Sequence, residues 1–368
     1  MIHFSLGIMA WNEADCIEQG LQSLLAQSVY EQLAARQLRC EIIVLPNGCT
    51  DNTAELARQF FARALPLHPY GHVISGRVVE IQTPGRNNAW NQFVHEFSAP
   101  EAQFLYLMDA DILFKHPDTI YSLYTALEMD PRAGVASGRQ IKEIELKEHK
   151  SLRDRLSIAT SDMTGTIKGR FTGQLYCMRA TVARNLYVPR DLLANDDGFF
   201  KAAICTNFFT EPLDPDRIIT APNAAHVYEA YMSPKEILNN QKRQMIGQTT
   251  VYLLVEYLKS LPVDERSHLA DTIRRNERDD PDWLKKIIGV HMQKTRAFWQ
   301  LFPGILTFRF KRLWKMKGAR KLTHFPAAAV GFGVTMIACL RAYRFLNKGE
   351  SYYWPKPARQ SILEARTS

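Results

Sequence analysis

The chain has 368 residues, 46% of them hydrophobic and 23% charged, with a formal net charge of +8. That supports a sizeable core and either one large α/β domain with an appendage or two domains. The six cysteines form no C-x-x-C pair and no metal-ligand spacing, which argues against a zinc module and for reduced thiols in a cytosolic protein.

The N-terminal residues Met1-Ile2-His3-Phe4 have neither a charged n-region nor an h-region, so no cleaved signal peptide is expected. Phe4 to Met9 is a short apolar strand, closed by Ala10-Trp11-Asn12-Glu13, and helical spacing follows through Ile17, Leu21, Leu24 and Leu25. Glu41 to Leu45 is a second, buried strand. The turn cluster Pro46-Asn47-Gly48-Cys49-Thr50-Asp51 follows, with Thr50 or Asp51 as N-cap of a helix through Ala54, Leu56 and Ala57. Val78 to Ile81 reads as a third strand, then Pro84-Gly85-Arg86 and a helix over 91–97. Phe104-Leu105-Tyr106-Leu107-Met108 is apolar without alternation, the pattern of a strand buried on both faces, and it runs into Asp109-Ala110-Asp111. Residues i and i+2 of an extended chain point the same way, so the two carboxylates can share a divalent cation with substrate phosphates. A solvated Asp turn is the bland alternative. Strands alternating with helices imply a mostly parallel sheet. No G-x-G-x-x-G follows the first strand and no P-loop occurs, which leaves a Rossmann dinucleotide site and a P-loop unsupported.

Four stretches in register resemble glycosyltransferase family 2. Ile8 to Glu13 is similar to the family's "YNE" opening, and Glu41 to Thr53 to its "EIIVVDDGSTDNT" strand and turn. Gly85 to Asn91 resembles its "G…A-x-N" segment, and Asp109-Ala110-Asp111 its D-x-D. The resemblance covers about residues 4–250 and implies a GT-A fold: a mostly parallel sheet flanked by helices. It also implies a nucleotide-sugar donor, Mg²⁺ or Mn²⁺, and inversion at the anomeric carbon. Asn12, Glu13, Asn47 and Asp109 then line the donor site, Asp109 and Asp111 hold the metal, and Arg86 is either a second positive group at the donor diphosphate or a solvated turn arginine. Asn47 replaces the second Asp of "VDDGS", an acceptor for the base N–H in the family, and Pro46 replaces the first. An amide both accepts and donates, so a uridine donor is a guess, and Asn47 equally suits a tight turn before Gly48.

Downstream, Gly134 to Arg139 suggests another strand, and Phe171 to Arg179 resembles the family's "GG…R" acceptor-side strand. Asn195-Asp196-Asp197 falls where the family has an "ED" pair opening a helix, which makes Asp197 the catalytic base, with Asp196 as runner-up. Two adjacent acids also suit any helix N-terminus. His226 lies in an apolar stretch and matches a late metal-binding histidine of some GT-A enzymes, against an ordinary structural role. Ser233-Pro234-Lys235-Glu236 opens a helix. It continues into a degenerate "QxxRW…G", where Arg243 and Gly247 match while Asn240 and Gln244 replace Gln and Trp. The missing Trp argues for a single transfer rather than processive synthesis, and Arg243 is either a diphosphate contact or a solvated arginine.

Leu258 to Asp282 reads as a surface connection, part of it helical. Between Trp283 and Gly349 there are fourteen Lys and Arg and no Asp or Glu, which leaves the rest of the chain mildly acidic. Aromatics interleave with these cations from Phe298 to Lys315, as in a segment lying on an anionic membrane. Phe325 to Leu340 is uncharged but short of the ~20 residues of a span, which favours a re-entrant or interfacial helix over a packed core helix. Tyr352-Tyr353-Trp354 would add an interfacial belt. Nucleic-acid binding is the competing view of this tail, and it leaves 325–340 without a role.

The sequence therefore predicts a GT-A domain over 1–232, a helical extension over 233–282 and a membrane-associating tail over 283–368. The expected enzyme transfers one sugar to a lipid-linked or membrane-proximal glycan acceptor at the cytoplasmic face, without nucleic acid as a partner. A nucleotidyltransferase-like enzyme and a non-catalytic membrane scaffold are the contrasting readings. The first lacks its Gly-rich basic N-terminal loop, and intact carboxylates at both sites weigh against the second.

Overall fold

Apolar runs and amphipathic stretches assemble into one eight-stranded sheet with helices on both faces, in a computed structural model that describes residues 1–147, 149, 169–228, 234–307, 311, 313–314 and 320–349. The strands are β1 (Ile2–Ala10), β2 (Arg39–Pro46), β3 (Ile74–Val78), β4 (Phe104–Asp109), β5 (Leu113–Phe114), β6 (Val135–Lys142), β7 (Leu175–Arg179) and β8 (Ile218–Tyr228). Their order is β3-β2-β1-β4-β7-β6-β8-β5. β1 lies parallel to β2 and β4, and β2 to β3, whereas β7 runs antiparallel to both β4 and β6. The carboxyl ends of β1, β2 and β4 thus open on one edge, where ligands of such sheets bind.

Alternation along the central strands sorts the core. Leu105 and Leu107 of β4 face one cluster with Trp90, Phe93, Phe199 and Phe200. Phe104, Tyr106 and Met108 face the other, with Ile17, Leu21 and Leu24 of α1 (Ile17–Leu25) and with Leu33 of α2 (Val29–Ala35). Each fully buried side chain of this kind contributes about 1.5–3 kcal/mol. By parity Asp109 emerges on the Leu107 face. That face carries α4 (Arg86–Gln92) and, downstream of α5 (Thr119–Met129) and α6 (Ala180–Arg184), α7 (Asp196–Cys205).

Several elements differ from the sequence expectation. The third strand is Ile74–Val78 rather than 78–81, because Cys40 to Val44 pair with it in register. Val79 and Ile81 still donate to Val44 and Pro46 at 2.9 and 2.8 Å beyond its end. The helix expected over 91–97 begins at Arg86, released by Gly85 at φ 141°. The next helix back, α3 (Thr53–Ala64), takes Asn52 as N-cap, while Asp51 Oδ1 accepts the Thr53 N–H at 3.1 Å.

Beyond the sheet come α8 (Pro234–Ser260), α9 (Val263–Ser267), α10 (Leu269–Asp279), α11 (Trp283–Lys294) and α12 (Arg320–Lys348). The stretch 258–282 is no surface connection: Leu258, Leu269 and Ile273 are fully buried in the cluster of the Leu107 face, since α10 concentrates its few apolar residues on one side. The apolar run 325–340 belongs to a longer helix. Its end packs Ala338, Cys339, Ala342 and Phe345 against Met245 and Ile246 of α8 and Leu301. Trp299, Trp314 and Phe325 are 55%, 77% and 55% exposed and are the exposed large aromatics among the described residues. No helix of the described residues is long and apolar enough to cross a membrane. Ser233 and the Tyr352-Tyr353-Trp354 belt lie outside the described residues.

Candidate active site

The site forms where β4 ends against the openings of α4 and α7. Trp90 sets this meeting point: its indole donates to Tyr176 Oη at 2.7 Å and its ring lies 4.8 Å from Phe200, tying α4, β7 and α7 together. Asn91 clamps the backbone of Val188, donating to its carbonyl and accepting its N–H, both at 2.9 Å, and Asn87 donates to the Leu192 carbonyl. The loop entering α7 is thereby fixed to α4.

Arg86 stands at the centre. Its guanidinium pairs with Asp109 at 3.2 Å, with Asp196, and with the Gly173 carbonyl. Burial opposes the charge, but Asp196 and Asp109 outweigh it and hold Arg86 firmly protonated. Burial pushes the Asp109 carboxyl up to about 7, against Arg86 and with help from the Asp111 charge. Asp197 shares no such ion pair among the described residues: its Oδ1 accepts the Gly198 N–H at 2.9 Å. Burial, then the Asp196 charge, raises its carboxyl to about 6, against the pull of Arg86 and Arg243. A Cβ placed on Gly173 would stand 3.6 Å from both Arg86 Nη2 and Asp197 Cβ, so Gly173 lines the same space. The Arg243 Nε is buried without a hydrogen-bond partner among the described residues.

The N-terminal turns build the neighbouring wall. Asn12, at φ 55°, accepts the Thr50 N–H at 2.7 Å, and the Glu13 N–H donates to Thr53 Oγ1 at 2.8 Å. Asn47 is buried; it donates to the Ala10 carbonyl at 2.8 Å and accepts the Gly85 N–H at 3.2 Å. It thus joins β1 to the entry of α4. The left-handed residue of this turn is Gly48, at φ 60°, where a Cβ would meet Pro84 at 2.4 Å.

Among the described residues no three His, Cys, Asp or Glu are gathered closely enough to hold a divalent cation alone. Mg²⁺ commonly takes one or two carboxylates and completes its shell with water and substrate phosphates, and Asp109 and Asp111 fit that pattern. His226 is buried on β8, its Nε2 at 3.3 Å from Gln174 Oε1 and its Nδ1 without a hydrogen-bond partner among the described residues. Burial, then Arg170, lowers its pKa to about 3, which keeps it a neutral imidazole able to ligate. Gln174 also accepts the Asp109 N–H through its carbonyl at 2.9 Å.

The structure therefore brings Arg86, Asp109, Asp196, Asp197 and the α8 arginine together, with Asn12, Glu13 and Asn47 in the adjoining turns. Sequence reasoning missed Trp90, Asn87 and Gln174 as the parts that hold them. Only the Gly85–Asn91 segment carried any signal of this.

An eight-stranded α/β sheet that opens on Asp109 and Asp111 after β4, with Asp196 and Asp197 at the start of α7, has the architecture of the GT-A fold. Residues 5–182 match the family described as Glycosyl transferase family 2, so this part of the chain is a domain of that family. No curated protein matches it. Among solved structures it is similar to S. aureus TarS 1-349, at 12% identity and a TM-score of 0.47, over 96% of this chain and 93% of that one. It is also similar to glucosyl-3-phosphoglycerate synthase from Mycobacterium tuberculosis with Mn²⁺, uridine-diphosphate-glucose and phosphoglyceric acid. There the identity is 17% and the TM-score 0.45, over 71% of this chain and 81% of that one. The assignment rests on the family match and on the chain's own topology.

Proposed function

We propose that this glycosyltransferase moves one sugar from a nucleotide diphosphate, with a uridine nucleotide the first to test, to a hydroxyl of a lipid-linked or membrane-proximal acceptor. The observation that carries the reading is the division of labour between two adjacent carboxylates. Asp196 is paired with Arg86, whereas Asp197 stands beside it with no arginine at hydrogen-bond distance among the described residues. Asp197 takes the proton of the acceptor hydroxyl as its oxygen bonds to the anomeric carbon. The bond from that carbon to the diphosphate oxygen breaks with its electron pair, in a single inverting displacement. Arg86 and Arg243 supply fixed positive charge near the departing diphosphate. Mg²⁺ or Mn²⁺ held by Asp109 and Asp111 together with the donor's phosphates would add Lewis-acid stabilisation of that leaving group; His226, expected from the sequence as a further ligand, does not gather with the two aspartates.

A base must be ionised to work. With the Asp197 carboxyl raised to about 6, the plot of log kcat against pH should be flat above that value. Below it, kcat should fall about tenfold per unit. A rate that stays level down to pH 4 would remove Asp197 from this role.

The basic segment 283–349 supports docking on an anionic membrane, because Trp299, Trp314 and Phe325 are exposed among its cations. Deleting the segment would uncover Met245 and Ile246, so point variants are the cleaner test. Trp299→Ala with Trp314→Ala should lower sedimentation with phosphatidylglycerol vesicles by about tenfold or more, given roughly 0.8 kcal/mol per buried CH₂-sized group. Sedimentation equal to wild type would sink the docking surface.

A further inference from the structure

Helix α8 passes directly against the loop that leads into Asp196 and Asp197. A Cβ on Gly247 would stand 2.7 Å from the Ala194 carbonyl oxygen and 2.8 Å from the Asn195 Cβ. The first of these is backbone, so the neighbour cannot simply rotate away. Only a residue without a side chain lets the α8 backbone approach so closely, in a helix interior where glycine is otherwise unfavourable. The loop side is just as constrained. Asn195 sits in the left-handed region at φ 67°, and its side chain covers Gly198, whose own Cβ would meet Asn195 Nδ2 at 2.3 Å. From the other end Asn87 and Asn91 hold Leu192 and Val188. Arg243 lies one turn before Gly247 on the same face of α8, and its charge acts on Asp197.

We propose that Gly247 is a positioning residue for the base: by seating α8 on Ala194 and Asn195, it sets where the Asp197 carboxylate meets the acceptor. The proposal rests on the reading of Asp197 as base. Because Gly247 acts through that loop and not on the donor, its loss should split kcat from the donor KM.

Gly247→Ala should lower kcat about tenfold or more, since ångström-scale misplacement of a reacting group is costly, while the donor KM stays within about twofold. Gly289→Ala, a change of the same kind on α11 where none of the described residues lies within 4 Å of the new Cβ, should leave both constants at wild type. Adding Asn195→Gly to Gly247→Ala removes one of the two colliding groups and should restore part of the lost kcat. A folded Gly247→Ala enzyme with unchanged kcat, or one whose kcat and donor KM worsen in parallel, would overturn the proposal. Should Gly247→Ala fail to fold, Asn195→Gly alone tests the same seating from the loop side. It should lower kcat with donor KM kept, and an unchanged kcat overturns the proposal. An active Asp197→Asn enzyme would instead strike the base assignment itself, so the two failures are separable.

Discussion

Replacing Asp197 with asparagine will lower kcat by about 10²–10⁴-fold, the range a positioned general base contributes, and leave donor binding intact. Asparagine keeps the side-chain size and a carbonyl oxygen for the Gly198 N–H, so the opening of α7 survives. What it removes is the ability to take a proton. Asp196 cannot stand in, because its carboxylate is engaged by Arg86. Steady-state rates with saturating donor and acceptor check this. A variant with at least a third of wild-type kcat would contradict it, and the same large loss in Asp196→Asn alone would transfer the role one residue back.

The second large effect is expected at the end of β4. Asp111→Ala will lower kcat about 10²–10³-fold, on the scale of losing one preorganised stabiliser of transition-state charge. It will also abolish the response of the enzyme to added Mn²⁺. Asp111 is the better probe of the two aspartates. Removing Asp109 would also strip a partner from the half-buried Arg86, and the cost of a less compensated charge would be mixed with the loss of a ligand. Turnover measured across a Mn²⁺ titration separates the outcomes. A metal-stimulated Asp111→Ala enzyme would remove this residue from the cation site.

Much of this was legible in the chain itself, and for identifiable reasons. Phe104 to Met108 announces a doubly buried strand because neither face tolerates a polar residue, and the two aspartates mark where that burial stops. The opening of α7 at Asp196 was readable because adjacent acids favour a helix N-terminus. The centre of the site was not. Arg86 lies 110 residues from Asp196 and 23 from Asp109, and no local pattern records that a single guanidinium pairs with both. Trp90 reaching Tyr176 is equally non-local. The packing of the tail was hidden for a different reason. A sixteen-residue uncharged run reads as membrane-seeking when considered alone, yet Ala338, Cys339 and Ala342 are small because α8 lies against them. Gly247 shows the converse: it matched a motif by position, and its physical reason emerges only from the contact with Ala194.

The most direct test of the central claim is donor binding by the full chain, read as a thermal shift with UDP-, GDP- and dTDP-sugars in Mn²⁺ and in EDTA. Stabilisation grows with ligand concentration over Kd, about 2.7 kcal/mol at a hundredfold excess, so a genuine donor raises Tm visibly. A metal-dependent nucleotide-sugar site predicts a shift with one nucleotide class in Mn²⁺, lost in EDTA and lost in Asp111→Ala. An equal shift in EDTA, or one retained by Asp111→Ala, would contradict it.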